Sequence, residues 1–84
     1  MSLNIRNIKT NQLLRYRNKR SLSQRDVSKL LGVEQATDIC RWEKGQKMPS
    51  LINALKLSSA LNCPVEVLFF DHFKQIRKEM FIKN

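Results

Sequence analysis

Ser23-Gln24-Arg25-Asp26-Val27-Ser28-Lys29-Leu30-Leu31-Gly32-Val33, running on to Ile39-Cys40-Arg41-Trp42-Glu43-Lys44-Gly45 and Pro49-Ser50, is the stretch whose reading decides the fold. Ser23 is a natural N-cap, because its hydroxyl can accept from an amide of the first helical turn. Val27, Leu30 and Leu31 follow at helical spacing as the residues expected to be buried. Gly32 ends the segment as a left-handed C-terminal residue, and Gly45 plays the same part for the next segment, which begins near Gln35. Two short helices joined by a tight turn are the result.

The same signals extend outward. Thr10 is the expected cap of a preceding helix that runs to about Asn18 and presents Leu13, Leu14 and Tyr16. Pro49-Ser50 opens a fourth helix whose inward face reads Leu51, Ala54, Leu55, Leu57, Ser58 and Leu61, with Asn62 as a left-handed terminator. Pro64 begins a fifth helix carrying Val65, Leu68 and Phe69. Asp71 is the expected cap of a sixth, in which Phe73, Ile76 and Met80 form one stripe while Lys74, Arg77 and Lys78 lie off it. Only two glycines and two prolines are present, which leaves few places for β-turns, and no segment reads as a strand. The expected fold is all-α: a compact bundle of about five short helices plus a C-terminal sixth helix. The expected organisation is a basic N-terminal arm over 1–9, a helical domain over 10–70 and an amphipathic helix over 71–84.

Composition narrows the partner. The 84 residues suffice for one domain, and 16 Lys plus Arg against 7 Asp plus Glu give a net charge of +9. Residues 1–20 hold six of the basic side chains and no acid. Such an imbalance points to a polyanion, nucleic acid or a membrane surface, with a merely soluble basic surface as the plain alternative. No apolar run approaches the roughly 18–20 residues that span a bilayer, and no secretory signal is visible. Met1-Ser2-Leu3 has the look of a cloning remnant as much as of a native start. Cys40 and Cys63, with His72 as the single histidine, fit neither a zinc site nor a disulfide framework, so no metal and no cofactor is expected. A reduced, cytoplasmic setting is the simplest reading.

The third helix has two distinct faces. With Ile39 as the inward reference and about 100° per residue, Trp42 and Glu43 fall on the inner half. Thr37 and Arg41 point away, Lys44 lies beside them, and Asp38 and Cys40 flank that outer face. Small or hydrogen-bonding residues outward and apolar residues behind are what a helix needs to seat in the major groove, and the preceding helix and turn complete a helix-turn-helix layout. Arg41 suits a bidentate contact to guanine O6 and N7, and equally suits a phosphate. Thr37 reads either as a base contact or as a hydroxyl bonded locally at the helix start. Ala36 reaches a thymine methyl only if the helix enters N-terminus first. Asp38 reads as a favourable first-turn partner of the helix dipole, with acceptance from cytosine N4 as the alternative.

In register, Leu14, Arg17, Leu22-Ser23-Gln24, Val27, Leu31-Gly32-Val33, Ile39, Arg41-Trp42-Glu43, Gly45, Pro49-Ser50-Leu51, Leu57, Ala60-Leu61, Val65 and Leu68 resemble the lambda-repressor/Cro-like helix-turn-helix family, the XRE type. The resemblance spans about residues 10–70. It implies a five-helix DNA-binding domain, a double-stranded DNA partner and a homodimer. It implies that Gln24 bonds a phosphate and braces the third helix, and that Arg17 and Glu43 pair between the first and third helices. It places Lys44, Gln46 and Lys47 in the loop that follows the phosphate backbone, Cys63 at an apolar core position and Ser58 at a small buried one. Gln35, Ala36, Thr37 and Arg41 are the candidate base readers. One departure stands: five residues, Glu34 to Asp38, separate Val33 from Ile39 where the commonest pattern has four.

The expected function is a sequence-specific DNA-binding transcriptional regulator, read as a repressor. Two alternatives share the fold: the antitoxin of a toxin–antitoxin pair, with a protein partner on the C-terminal helix, and an interaction module that has lost DNA binding. An enzyme is not expected, since the chain offers no catalytic nucleophile–base pairing and no phosphate-cradling glycine loop.

Overall fold

The computed structural model describes residues 8–81 as α1 (Leu13–Lys19), α2 (Gln24–Leu31), α3 (Ala36–Glu43), α4 (Leu51–Leu61), α5 (Val65–Leu68) and α6 (Phe70–Phe81). No strand occurs among the described residues. Most of the N-terminal arm, Met1–Asn7, and the end of the C-terminal segment, residues 82–84, lie outside them.

The boundaries of α2 follow from its own residues. The Ser23 hydroxyl accepts from the Asp26 amide while the Asp26 carboxylate accepts from the Ser23 amide, both at 2.9 Å, closing a capping box. The Ser23 backbone amide, with help from the Ser23 side chain, holds the Asp26 carboxyl below its ordinary pKa, because both favour the ionised form. Gly32 ends α2 at φ 76°, and Lys56 Nζ of α4 donates to the Leu31 carbonyl at 3.0 Å, satisfying one of the open acceptors there. Ser50 caps α4 by accepting from the Asn53 amide at 3.2 Å, and Asn62 closes it at φ 51°.

α1 departs from expectation. Thr10 does not cap it; its hydroxyl donates to the Asp71 carboxylate of α6. Asn11 holds the helix start instead, its Oδ1 accepting from the Leu13 amide at 3.0 Å, and α1 begins at Leu13. Asp71 in turn lies inside the first turn of α6 rather than capping it.

The core gathers Leu13, Val27, Leu31, Ile39, Trp42, Leu57, Leu61, Cys63, Leu68 and Phe69, with Tyr16, Leu22, Val33, Ala60, Val65 and Val67 packed at its edge. α2 lies against α3 and α4, α4 against α5, and α1 against α3. Four residues expected to pack are outside it: Leu14 is 49% exposed, Leu30 62%, Leu51 73% and Leu55 51%. The buried face of α2 is set by Val27, Ser28 and Leu31, and at about 100° per residue Leu30 falls outside it on the side away from Ser28. α4 carries more apolar residues than one face holds; Ala54, Leu57 and Leu61 turn inward and Leu51 and Leu55 flank them. Ser58, at its small position, donates to the Cys63 carbonyl at 2.6 Å.

His72 is the unusual core neighbour. It is buried on the first turn of α6, edge-on to Phe69 at 5.7 Å, and neither ring nitrogen has a hydrogen-bond partner among the described residues. Burial pushes its pKa below the usual 6.5, and the adjacent Asp71 carboxylate offsets only part of that. The unfolded chain therefore binds the proton more readily than the fold does, and stability falls as pH drops below the unfolded value. Urea midpoints are expected to hold steady above about pH 7.5 and decline from 6.5 toward 5. In His72→Leu that decline should vanish; an unchanged slope would show that His72 does not carry it.

Candidate nucleic-acid interface

What positions α3 is a polar network beneath its C-terminal turn. Arg17 on α1 meets Glu43 on α3 in a two-pronged pair, Nε to Oε2 at 2.6 Å and Nη2 to Oε1 at 3.2 Å. Arg17 Nη1 also donates to the Leu22 carbonyl at 2.9 Å, tying in the α1–α2 turn. Gln24, the first residue of α2, donates from Nε2 to Glu43 Oε1 at 2.9 Å. Glu43 thus collects three donors from two other helices, and its side chain is 7% exposed against 13% for Arg17. Such a fork matches guanidinium to carboxylate geometry and fixes orientation as well as distance.

A second tie comes from Asn11, whose Nδ2 donates to the Trp42 carbonyl at 2.9 Å. Asn11 therefore holds the start of α1 and the end of α3 with the two ends of one amide. Sequence reasoning passed over it. Asn two positions before the first helical leucine is a local signal, but the partner 31 residues away has no signature in the chain. Just beyond α3, Gly45 takes φ 70°, and a β-carbon there would stand 2.5 Å from the Lys9 backbone. The left-handed turn thus coincides with a close backbone crossing, which only glycine permits.

With the inner face fixed by Ile39, Trp42 and Glu43, the outer face is set. Thr37, Arg41 and Lys44 are exposed, and Gln35 is exposed at the N-cap. Ala36, Asp38 and Cys40 are half-buried. The Thr37 hydroxyl donates to Gln35 Oε1 at 3.1 Å, so two candidate base readers hold each other, and the hydroxyl is engaged by a side chain rather than by backbone. Gln35 makes no side-chain cap bond to α3. Arg41 has no side-chain hydrogen bond or ion pair among the described residues, and its carbonyl accepts from the Gln46 amide at 2.9 Å, which turns the following loop back beside it. Gln46 and Lys47 are exposed on that loop. Lys47 Nζ stands 3.9 Å from Asp38 Oδ1, a loose surface contact that sets a cation beside the one acid of α3's first turn.

The structure thus brings Gln35, Thr37, Arg41, Lys44, Gln46 and Lys47 onto α3's outer side and the loop after it, while Gln24 lies beneath, bonded to Glu43. Ala36 is partly covered. Cys63 is core and Cys40 is a free, half-buried thiol. No three His, Cys, Asp or Glu side chains assemble as metal ligands among the described residues, and no helix there is long and apolar enough to cross a membrane.

A helix-turn-helix family model matches residues 13–68. A comparison with curated proteins finds no match. Among solved structures, the restriction-modification controller protein C.AhdI from Aeromonas hydrophila is similar over 69% of this chain and 86% of that one, with 34% identity and a TM-score of 0.62.

Proposed function

We propose that this chain, which belongs to the helix-turn-helix family of DNA-binding transcriptional regulators, is a cytoplasmic repressor that reads the major groove with α3 and binds as a two-fold dimer. One observation carries the reading: the Arg17–Glu43–Gln24 network anchors α3 from behind while Thr37 and Arg41 are exposed on its outer side. A reading helix must be held rigidly from behind, and the Arg17–Glu43–Gln24 network supports that here. Likeness to a restriction-modification controller favours control of a restriction-modification gene pair as the setting. Reporter expression from the promoters flanking this gene, with and without the protein, tests repression.

Positioning and reading separate in mutants. Lys47→Ala should weaken binding to every sequence alike and reduce the salt slope by about one unit. Arg41→Ala should cost about 1–3 kcal/mol on the operator and relax preference at one base pair. Fragments selected from random DNA supply the operator. Equal losses on selected and random duplexes would make Arg41 a phosphate contact.

A further inference from the structure

A concavity of about 480 Å³ opens at the junction of α2 and α3. Arg25 and Lys29, four residues apart on α2 and so on one face of it, line one side, with Ser28 between them. Gln35 and Thr37, two of the candidate base readers, line the other. Both cations are exposed, and neither is within 4 Å of a carboxylate among the described residues. Two uncommitted cations therefore border the same hollow as the leading edge of the reading helix.

We propose that Arg25 and Lys29 clamp a backbone phosphate of the DNA strand that flanks the N-terminal end of α3, a contact distinct from those of Gln24, Lys44, Gln46 and Lys47. The inference rests on α3 entering the major groove. In that pose the strand bordering the groove passes the edge of α3's first turn, where the hollow lies. Phosphate is the ligand chemistry these side chains match: a guanidinium fork and a point ammonium, with the Gln35 amide donor opposite. Glu34 also lines the hollow and repels such a ligand, so its charge subtracts from the clamp. Contacts of this kind fix register and orientation and carry no sequence information.

The test is fluorescence anisotropy of the intact chain on its selected operator and on a random duplex across a salt series. Arg25→Gln and Lys29→Gln should each weaken both duplexes alike and lower the salt slope by about 0.9, while sequence preference holds. Glu34→Gln should move affinity the other way. Lys78→Gln on α6 removes the same charge outside the hollow and should leave the slope as it was. Slopes for the two α2 variants equal to that of Lys78→Gln would overturn the clamp and leave the reading by α3 standing. A wild-type chain that binds no duplex at low salt would overturn both. Inorganic phosphate titrated at constant ionic strength separates the two sources of the ligand. No displacement of DNA at millimolar phosphate supports the strand, whereas displacement abolished by Arg25→Gln would assign the hollow to a free oxyanion and overturn the proposal.

Discussion

Glu43→Ala is expected to destabilise the fold by about 3–5 kcal/mol, because it strands the Arg17 guanidinium in a site where its side chain is 13% exposed. The variant also removes the acceptor of Gln24 Nε2, so a second polar group loses its partner. For a domain whose whole stability is of order 5–15 kcal/mol, such a loss leaves a marginal fold and lowers Tm by at least about 10 °C. Arg17→Leu strands the Glu43 carboxylate, 7% exposed, and should likewise cost about 3–5 kcal/mol, the Gln24 bond offsetting part of the loss. The double variant should cost less than the sum of the two singles, the coupling reporting the pair itself. Urea denaturation of the four proteins measures this. Losses under 1 kcal/mol in both singles would show that the network does not anchor α3. Since α3 is fixed through Glu43, Glu43→Ala is also expected to weaken operator and random DNA together at temperatures where it remains folded.

Where the chain's own neighbours determine structure, the sequence was legible. The α2 boundaries follow from Ser23, Asp26 and Gly32, all within ten residues, and the Gly45 and Asn62 terminators from their tolerance of positive φ. The inner face of α3 was legible because Ile39, Trp42 and Glu43 leave one apolar side to bury. What distant partners decide was not. Thr10 and Asn11 are both good capping residues, and the choice fell to Asn11 because Thr10 is drawn to Asp71, 61 residues away. Leu51 and Leu55 are as apolar as Leu57, and only the placement of α2 and α5 on α4 selects which of them is covered. The outer residues of α3 pack against nothing, so neither pattern nor packing ranks Gln35, Thr37 and Arg41 as readers; the base pairs opposite them do that.

The second large effect belongs to α6. Its first turn is tied down, Asp71 to Thr10 and His72 buried beside Phe69, so truncation at Asp71 would damage the domain itself. Beyond that turn the helix carries large apolar side chains that the protomer leaves open: Phe73 is 41% exposed, Met80 56% and Phe81 69%. With Ile76 half-buried between them, Phe73 and Met80 line one stripe of a helix whose recurrent packing partner in its own chain is α5. The molecule is accordingly long, 45 × 20 × 19 Å over the described residues. A second copy is the expected partner of this face. Antiparallel pairing about a two-fold axis between Ile76 and Arg77 would set Phe73 against the partner's Met80 and Lys74 beside the partner's Glu79, so that one helix would supply both halves of each contact, as an isologous interface requires. Two reading helices would then meet half-sites about 34–36 Å apart, one turn of DNA. Phe73→Glu with Met80→Glu keeps the tied first turn and sets four carboxylates into the interface of the pair. Sedimentation at tens of micromolar should change from dimer to monomer mass, with the circular dichroism of the protomer retained. Operator affinity should fall about 10²–10⁴-fold, because the second half-site is no longer held at high effective concentration, while affinity for a single half-site changes little. A wild-type chain that sediments as a monomer at that concentration, or a double variant that stays dimeric, would remove α6 as the interface.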